Sequence, residues 1–407
     1  MTNQDNEIPF PVEESSLPDV LCPCENVRRT CIDILMQDGL VSEEFEDDID
    51  EELDSKNMDG IRSVSINQAK LESLAARIQS IQESGKETLI EWDEHEWHYK
   101  VDQRLVQAGA ISTRCLHERV ALYILCLDAL NFCFWPYPDL EYVHLAKALA
   151  RVAQQDEEQL LLHGESHDWN AANYALHPNQ LRNMTPEKLN KLMGPYLPTP
   201  PEGQQDCFPN MSERARLLSE VAEALLDHPI YKGEVLALIQ RANRSASRLV
   251  YLVLELFPGF RDISMHPKTG QQLCFYKRAQ ILVGDLWAAM GDALGFTDVH
   301  KLTMFADYRV PQLLREEGVM VYSNGLAEKI DSGTILNANS IDEIYIRAAT
   351  VVAVERIVEC IRKKHHSENT PSTTLWCAIK VDWYLWQLGE SLATKMRKHH
   401  CVHTIYY

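Results

Sequence analysis

The sequence predicts an all-α protein: one large, mainly helical domain with few short strands. Three observations carry that expectation. Apolar residues recur at three-to-four spacing over most of the chain after about residue 60. Glycine (17) and proline (18) are both modest over 407 residues, which argues against a turn-dense β architecture. Helix-start signals precede several of the periodic runs, and no 20–50-residue repeat points to a solenoid. With 45% hydrophobic residues, the chain can bury a large core.

Taken in order, residues 1–60 are expected to be an acidic, flexible segment. Nine acids occupy the twelve positions 43–54, and a block of like charge stays solvated. Residues 22–40 carry a little apolar content. A helix is expected over 68–81. Residues 116–135 are apolar on most faces and read as a buried central helix, interrupted by Asp128 and Asn131. An amphipathic helix follows over 139–154. Thr185-Pro186-Glu187 is a helix start, with Thr as cap and Pro in the first turn. Residues 194–209 are Pro-rich and read as a surface loop. Amphipathic helices are expected over 212–226, 233–256, 276–294, 311–317, 340–363 and 374–394. Ser340 and Glu343 have the spacing of a capping box. Trp376, Ile379, Trp383 and Trp386 form one stripe, a pattern commoner in cores than in cofactor sites. Residues 271–276 and 319–322 are the strand-like runs. The helical domain is expected to span 61–395, with a mobile His-rich tail over 396–407.

Lys plus Arg is 39 and Asp plus Glu is 60, a formal net charge of −21. Such a charge repels phosphate backbones, so stable nucleic-acid binding is not expected. The N-terminus has neither a basic n-region nor an apolar h-region, and eleven cysteines are scattered and odd in number. Reduced thiols in the cytoplasm, or the nucleus, are the economical reading. The longest apolar stretch, 120–135, is too short and too polar to span a bilayer. Cys22-Pro23-Cys24 has no answering pair, and His95 with His98 has no third ligand. His399, His400, Cys401 and His403 crowd the tail as an adventitious metal site at most. No metal or cofactor is expected.

Polar residues embedded in apolar runs are the candidates for chemistry. Phe257-Pro258-Gly259-Phe260-Arg261-Asp262 offers a stacking ring beside an acceptor, which suits a heterocycle. It fits a helix C-cap equally well. Lys277 and Arg278 open a helix, against the macrodipole. Residues 302–306 deliver Asp307, Tyr308 and Arg309 at the end of a buried run, which suits a catalytic carboxylate. A structural Asp–Arg pair is the rival reading.

Several of these segments resemble the queuosine salvage protein family. They are Leu130-Asn131-Phe132-Cys133-Phe134-Trp135, residues 257–262, Tyr276-Lys277-Arg278-Ala279-Gln280 and residues 305–312. Ile346-Arg347-Ala348-Ala349-Thr350, and Val381-Asp382-Trp383 with Leu388-Gly389-Glu390, continue the match in order. The resemblance implies an all-α fold like the helix-hairpin-helix DNA glycosylases, although no L-P-G-x-G hairpin is present. It implies hydrolysis of queuosine 5′-phosphate to free queuine for reuse in tRNA modification. By the same resemblance Asp307 is the catalytic carboxylate and Lys277 sits by the ribose or the 5′-phosphate. Phe260 and Asp262 would hold the 7-deazaguanine ring, Tyr308 and Arg309 would line the cleft, and His98 would contact substrate. Two other classes stay open: a glycosylase acting on nucleic acid, and a non-catalytic helical module for binding a nucleobase or partner.

Overall fold

The computed structural model describes residues 22–41, 63–84, 91–155, 157, 160–161, 174–367 and 376–407, so the acidic run 43–54 lies outside the described residues. The axis of the fold is the helix Thr113–Leu130. Ser112 caps it, its hydroxyl accepting from the Cys115 amide at 3.1 Å. From Glu118 to Leu130 every side chain except Val120 is buried, as an all-round apolar helix requires. The helices Tyr142–Gln154, Met211–Asp227 and Lys277–Met290 pack around it.

This axis was expected to run to Trp135, but it stops at Leu130. Asn131 leaves helical geometry, at φ −80° and ψ 73°. The final carbonyls are buried and would be orphaned, and cations satisfy them. Arg278 donates to Ala129 O at 2.8 Å and Lys277 Nζ to Asn131 O at 3.2 Å. Arg214 donates to the carbonyls of Leu130 and Phe132, and to that of Cys133 at 2.8 Å.

A second layer forms around the long helix Ile341–Ser367. Pro23–Gln37, Gln68–Ser84 and Ala378–Leu392 pack on it, and Arg309–Glu316 packs on Ala378–Leu392. The helix Ala246–Leu256 touches both Lys277–Met290 and Pro23–Gln37 and so joins the layers. Three short strand pairs trim the edges. Val64–Ile66 pairs antiparallel with Met320–Tyr322, and Ile263–Met265 antiparallel with Gln272–Cys274. Ile335–Leu336 pairs parallel with Cys401–Val402.

Three expectations are corrected. Residues 23–37 are not a flexible lead-in: Cys24, Val27, Cys31, Ile34 and Leu35 are buried against the core. Their three-to-four spacing is the ordinary signature of a packed helix. Residues 396–407 are not a mobile tail, because Cys401–Val402 joins a strand pair and His400, Val402 and Tyr407 are buried. The helix expected over 233–256 is two helices, Val235–Arg241 and Ala246–Leu256. Asn243 and Arg244 take positive φ (49° and 62°) between them. Asp298 then accepts from the Ala246 amide at 2.6 Å and from the Ser245 and Ser247 hydroxyls at 2.8 and 2.7 Å, fixing a new helix start.

Candidate active site

A cleft opens where the central helix ends. Its walls come from residues 92–98, 131–142, the start of Lys277–Met290, the stretch 305–309, Ala378–Leu392 and Tyr407. The stretch 302–306 is buried and has no regular structure, so its backbone must be satisfied by side chains. Gln280 Oε1 accepts from the Thr303 amide at 2.9 Å and Asp382 Oδ1 from the Phe305 amide at 3.2 Å. Arg347 Nε donates to Ala306 O at 3.2 Å.

Those anchors deliver Asp307 to the cleft. Its Oδ1 accepts from the amides of Arg309 and Val310 at 3.0 and 3.1 Å, so it caps the helix Arg309–Glu316. Its Oδ2 has no hydrogen-bond partner among the described residues. One carboxylate oxygen is thus fixed by the fold.

The electrostatics centre on Lys277, which lines the cleft with Asp285, Asp307 and Asp382. Burial lowers the Lys277 pKa, while Asp307 and then Asp128 pull it back up. Burial raises the Asp307 pKa, against the pull of Lys277 and of the helix amides. Burial, and then the neighbouring Asp307, hold the Asp382 carboxyl well above the ordinary carboxylate range. Burial pushes Asp285 up to about 7. Asp128 lies fully buried outside the lining; its carboxylate oxygens meet no hydrogen-bond partner of good geometry among the described residues, though the Asn131 side chain is near enough to favour the charged form. Burial, and then Asp285, raise it well above its ordinary value. Burial pushes all four carboxyls the same way, towards holding a proton, around one ammonium whose own pKa burial lowers, and such a site is suited to proton transfer.

Of the residues singled out in the sequence, Lys277, Asp307, Tyr308, Arg309 and His98 all line the cleft. His98 is a neutral imidazole: burial pushes its pKa down to about 3. Its Nδ1 donates to Trp92 O at 2.8 Å, and its Nε2 accepts from the Tyr142 hydroxyl at 3.0 Å. Arg309 is already engaged, with Nε on Glu390 at 2.5 Å and Nη1 on Gln312 at 2.7 Å.

Phe260 and Asp262 are absent from the cleft lining. Phe260 is fully buried, with the Arg278 guanidinium 4.8 Å from its ring centre. Gly259 beside it cannot carry a side chain, since a Cβ there would overlap Leu217. Asp262 is paired with Arg347 and also accepts from the Lys277 amide at 3.2 Å. Both residues brace the site from behind.

Sequence reasoning passed over Asp285, Asp382 and Glu390 as site residues, and it read Trp383 and Trp386 as core. The two aspartates carried the same signal as Asp128, an acid inside an apolar helix. Trp383 and Trp386 are only partly buried and line the cleft, while Ile379 of the same stripe is fully buried and does not. Among the described residues, no group of three or more His, Cys, Asp or Glu could hold a metal ion. No helix among them is long and apolar enough to cross a membrane.

The profile of the family described as queuosine salvage protein matches residues 111–407. The chain belongs to the queuosine salvage protein family. It is 40% identical over 292 residues to the queuosine 5′-phosphate N-glycosylase/hydrolase of Dictyostelium discoideum, covering 71% of this chain and 79% of that one. The protein of that name from Sphaerobacter thermophilus is 34% identical over 302 residues, 71% of this chain and 82% of its own. That from Nematostella vectensis is 29% identical over 339 residues, 78% and 86% respectively. In this member of the queuosine salvage family, the matched span takes in Asp285, Asp307, Asp382 and Lys277. The cleft wall formed by Trp92, His95, Trp97 and His98 precedes it.

Proposed function

We propose that this chain is an N-glycosyl hydrolase that cleaves queuosine 5′-phosphate and releases queuine for salvage into tRNA modification. The observation that carries the reading is Asp307: a half-buried carboxylate in an aromatic cleft, with one oxygen held by two amides and the other without a hydrogen-bond partner among the described residues. Cleaving the C1′–N9 bond builds positive charge on the ribose, and a fixed carboxylate stabilises it. The base leaves with the bonding electrons and takes up a proton from Asp285 or Asp382, water adds its oxygen to C1′ and passes a proton to Asp307, and that proton returns to the donor acid through solvent to complete the cycle. A 7-deaza base has no N7 to protonate, so the enzyme depends more on Asp307 and on hydrogen bonds to the base edge.

Asp285 and Asp382 suit that edge better than Asp262, because they line the cleft and Asp262 is paired elsewhere. Burial keeps both inclined to hold a proton, so either can donate as well as accept. Trp383, Trp386 and Tyr308 supply aromatic surface for the ring. Lys277 and Arg309 are the cations of the lining, and Lys277 is the better placed for a phosphate because Arg309 already pairs with Glu390. His98 is neutral and serves as a hydrogen-bonding wall. No cofactor is needed for this scheme.

The substrate is a small molecule rather than a nucleic acid. A net charge of −21 and a cleft lined by acids both work against a phosphate backbone. All eleven cysteines are free thiols, in keeping with the cytoplasm or the nucleus. The catalytic unit takes in residues 22–41 and 396–407 as well as 63–395, since both flanks pack on its core. Incubation with queuosine 5′-phosphate, followed by chromatography for free queuine, tests the reading. Queuine release supports hydrolysis, and binding without release would favour a non-catalytic nucleobase module.

A further inference from the structure

The stretch from His399 to Tyr407 has no part in the reaction described above, yet it touches the cleft twice. The His399 ring lies 4.4 Å from that of Tyr308, which lines the cleft. Tyr407 lines the cleft itself and is held from three sides. Its carbonyl accepts from the Cys133 amide at 3.1 Å. Its hydroxyl donates to Glu343 Oε1 at 3.0 Å. The Arg347 guanidinium stands 4.4 Å from its ring centre. The strand pair Ile335–Leu336 with Cys401–Val402 fixes the same segment further back.

We propose that this C-terminal strap is a substrate-selecting wall, and that Tyr407 is the residue through which it grips the flat base. The inference rests on the glycosylase reading for the identity of the ligand. Tyr407 is only 3% exposed, so what it offers the cleft is a small, fixed aromatic patch. One pinned at its carbonyl, its hydroxyl and its ring is a rigid aromatic surface that loses little freedom when a base stacks on it. Stacking between a base and an aromatic ring is worth about 1–3 kcal/mol, so its loss is expected to weaken binding roughly fivefold to a hundredfold. The same ring shields Arg347, which holds Ala306 beside Asp307. Substrate contact and placement of the carboxylate therefore meet at one side chain.

The test compares wild type, Tyr407→Phe and Tyr407→Leu in turnover of queuosine 5′-phosphate. The Leu variant is expected to raise KM at least about fivefold with a smaller change in kcat, and the Phe variant to restore KM, because it keeps the ring. A purely structural tyrosine would instead lower the melting temperature and leave KM unchanged in the folded fraction, which would overturn the proposal. If the Leu variant does not fold, amide hydrogen exchange on the wild-type protein decides. Queuine should slow exchange across residues 399–407, and unchanged exchange there would remove the strap from the site. Absence of wild-type turnover would sink the glycosylase reading alone, and the exchange measurement with queuine would still decide the wall.

Discussion

Asp262 and Arg347 form a two-point ion pair, Oδ1 to Nη1 at 3.0 Å and Oδ2 to Nη2 at 2.5 Å, with each side chain only 1% exposed. Arg347 also reaches Ala306 O, one residue before Asp307. The pair is therefore a bracket behind the cleft, and it explains why an aspartate that looks like a base-binding acceptor in the sequence is structural.

The first prediction concerns that bracket. Asp262→Asn leaves the buried guanidinium without its main counter-charge, with Glu343 at 3.7 Å as the only other acid paired to it among the described residues. Breaking a buried pair from one side costs about 3–5 kcal/mol. A clear fall in melting temperature is expected, with turnover falling alongside it. An unchanged melting temperature with a selective loss of queuine affinity would return Asp262 to the base.

A second prediction uses pH. Lys277 holds the Asp307 pKa down against burial. Lys277→Met removes that cation, so the Asp307 pKa rises further and the carboxylate form is lost at higher pH. The acid limb of the kcat/KM profile should move to higher pH, and neutral-pH turnover should fall about tenfold or more. An acid limb at the wild-type position would separate Lys277 from Asp307.

A third prediction concerns Asp128. Its folded-state pKa lies above its unfolded value, so this group favours folding at low pH and loses that contribution as pH rises through the folded pKa. Asp128→Asn removes the titration and keeps the shape. The melting temperature of the variant relative to wild type should climb from pH 5 to about pH 8. A constant difference across that range would mean that Asp128 carries no proton on folding.

Deleting residues 22–41 supplies a fourth prediction. It strips Cys24, Val27, Cys31, Ile34 and Leu35 from the core. At about 1.5–3 kcal/mol for each buried side chain, the loss is on the order of 10 kcal/mol, comparable to the whole stability of a domain. Insoluble or unfolded protein is expected, and a soluble variant with full turnover would show the helix to be dispensable.

Much of the fold was legible because helical periodicity is local. The central helix, the Thr185 start and the Ile341–Ser367 helix stand close to where the pattern puts them. Thr185 does accept from the Lys188 amide, at 3.3 Å. The capping box is half-formed: the Ser340 hydroxyl accepts from the Glu343 amide at 3.4 Å, while the Glu343 carboxylate accepts from Asn339 instead of Ser340. What the pattern could not convey is long-range pairing. The break before Ala246 depends on Asp298, and the end of the central helix depends on Arg214, Lys277 and Arg278. Residues 23–37 were overshadowed by the acids that follow them. At the site, Asp307 and Lys277 stood out as charges on apolar segments. Asp262 stood out in the same way, and only the position of Arg347, 85 residues away, separates its role from theirs.

The central claim is that Asp307 is the catalytic carboxylate, and Asp307→Asn tests it most directly. Turnover of queuosine 5′-phosphate, thermal unfolding and queuine binding are measured on one preparation. An amide keeps the side chain's shape but loses the charge opposite the ribose and cannot take a proton from water. Turnover is expected to fall by about 10²–10⁴-fold or more, with the fold and queuine binding retained. A well-folded variant with near-full turnover would contradict the account.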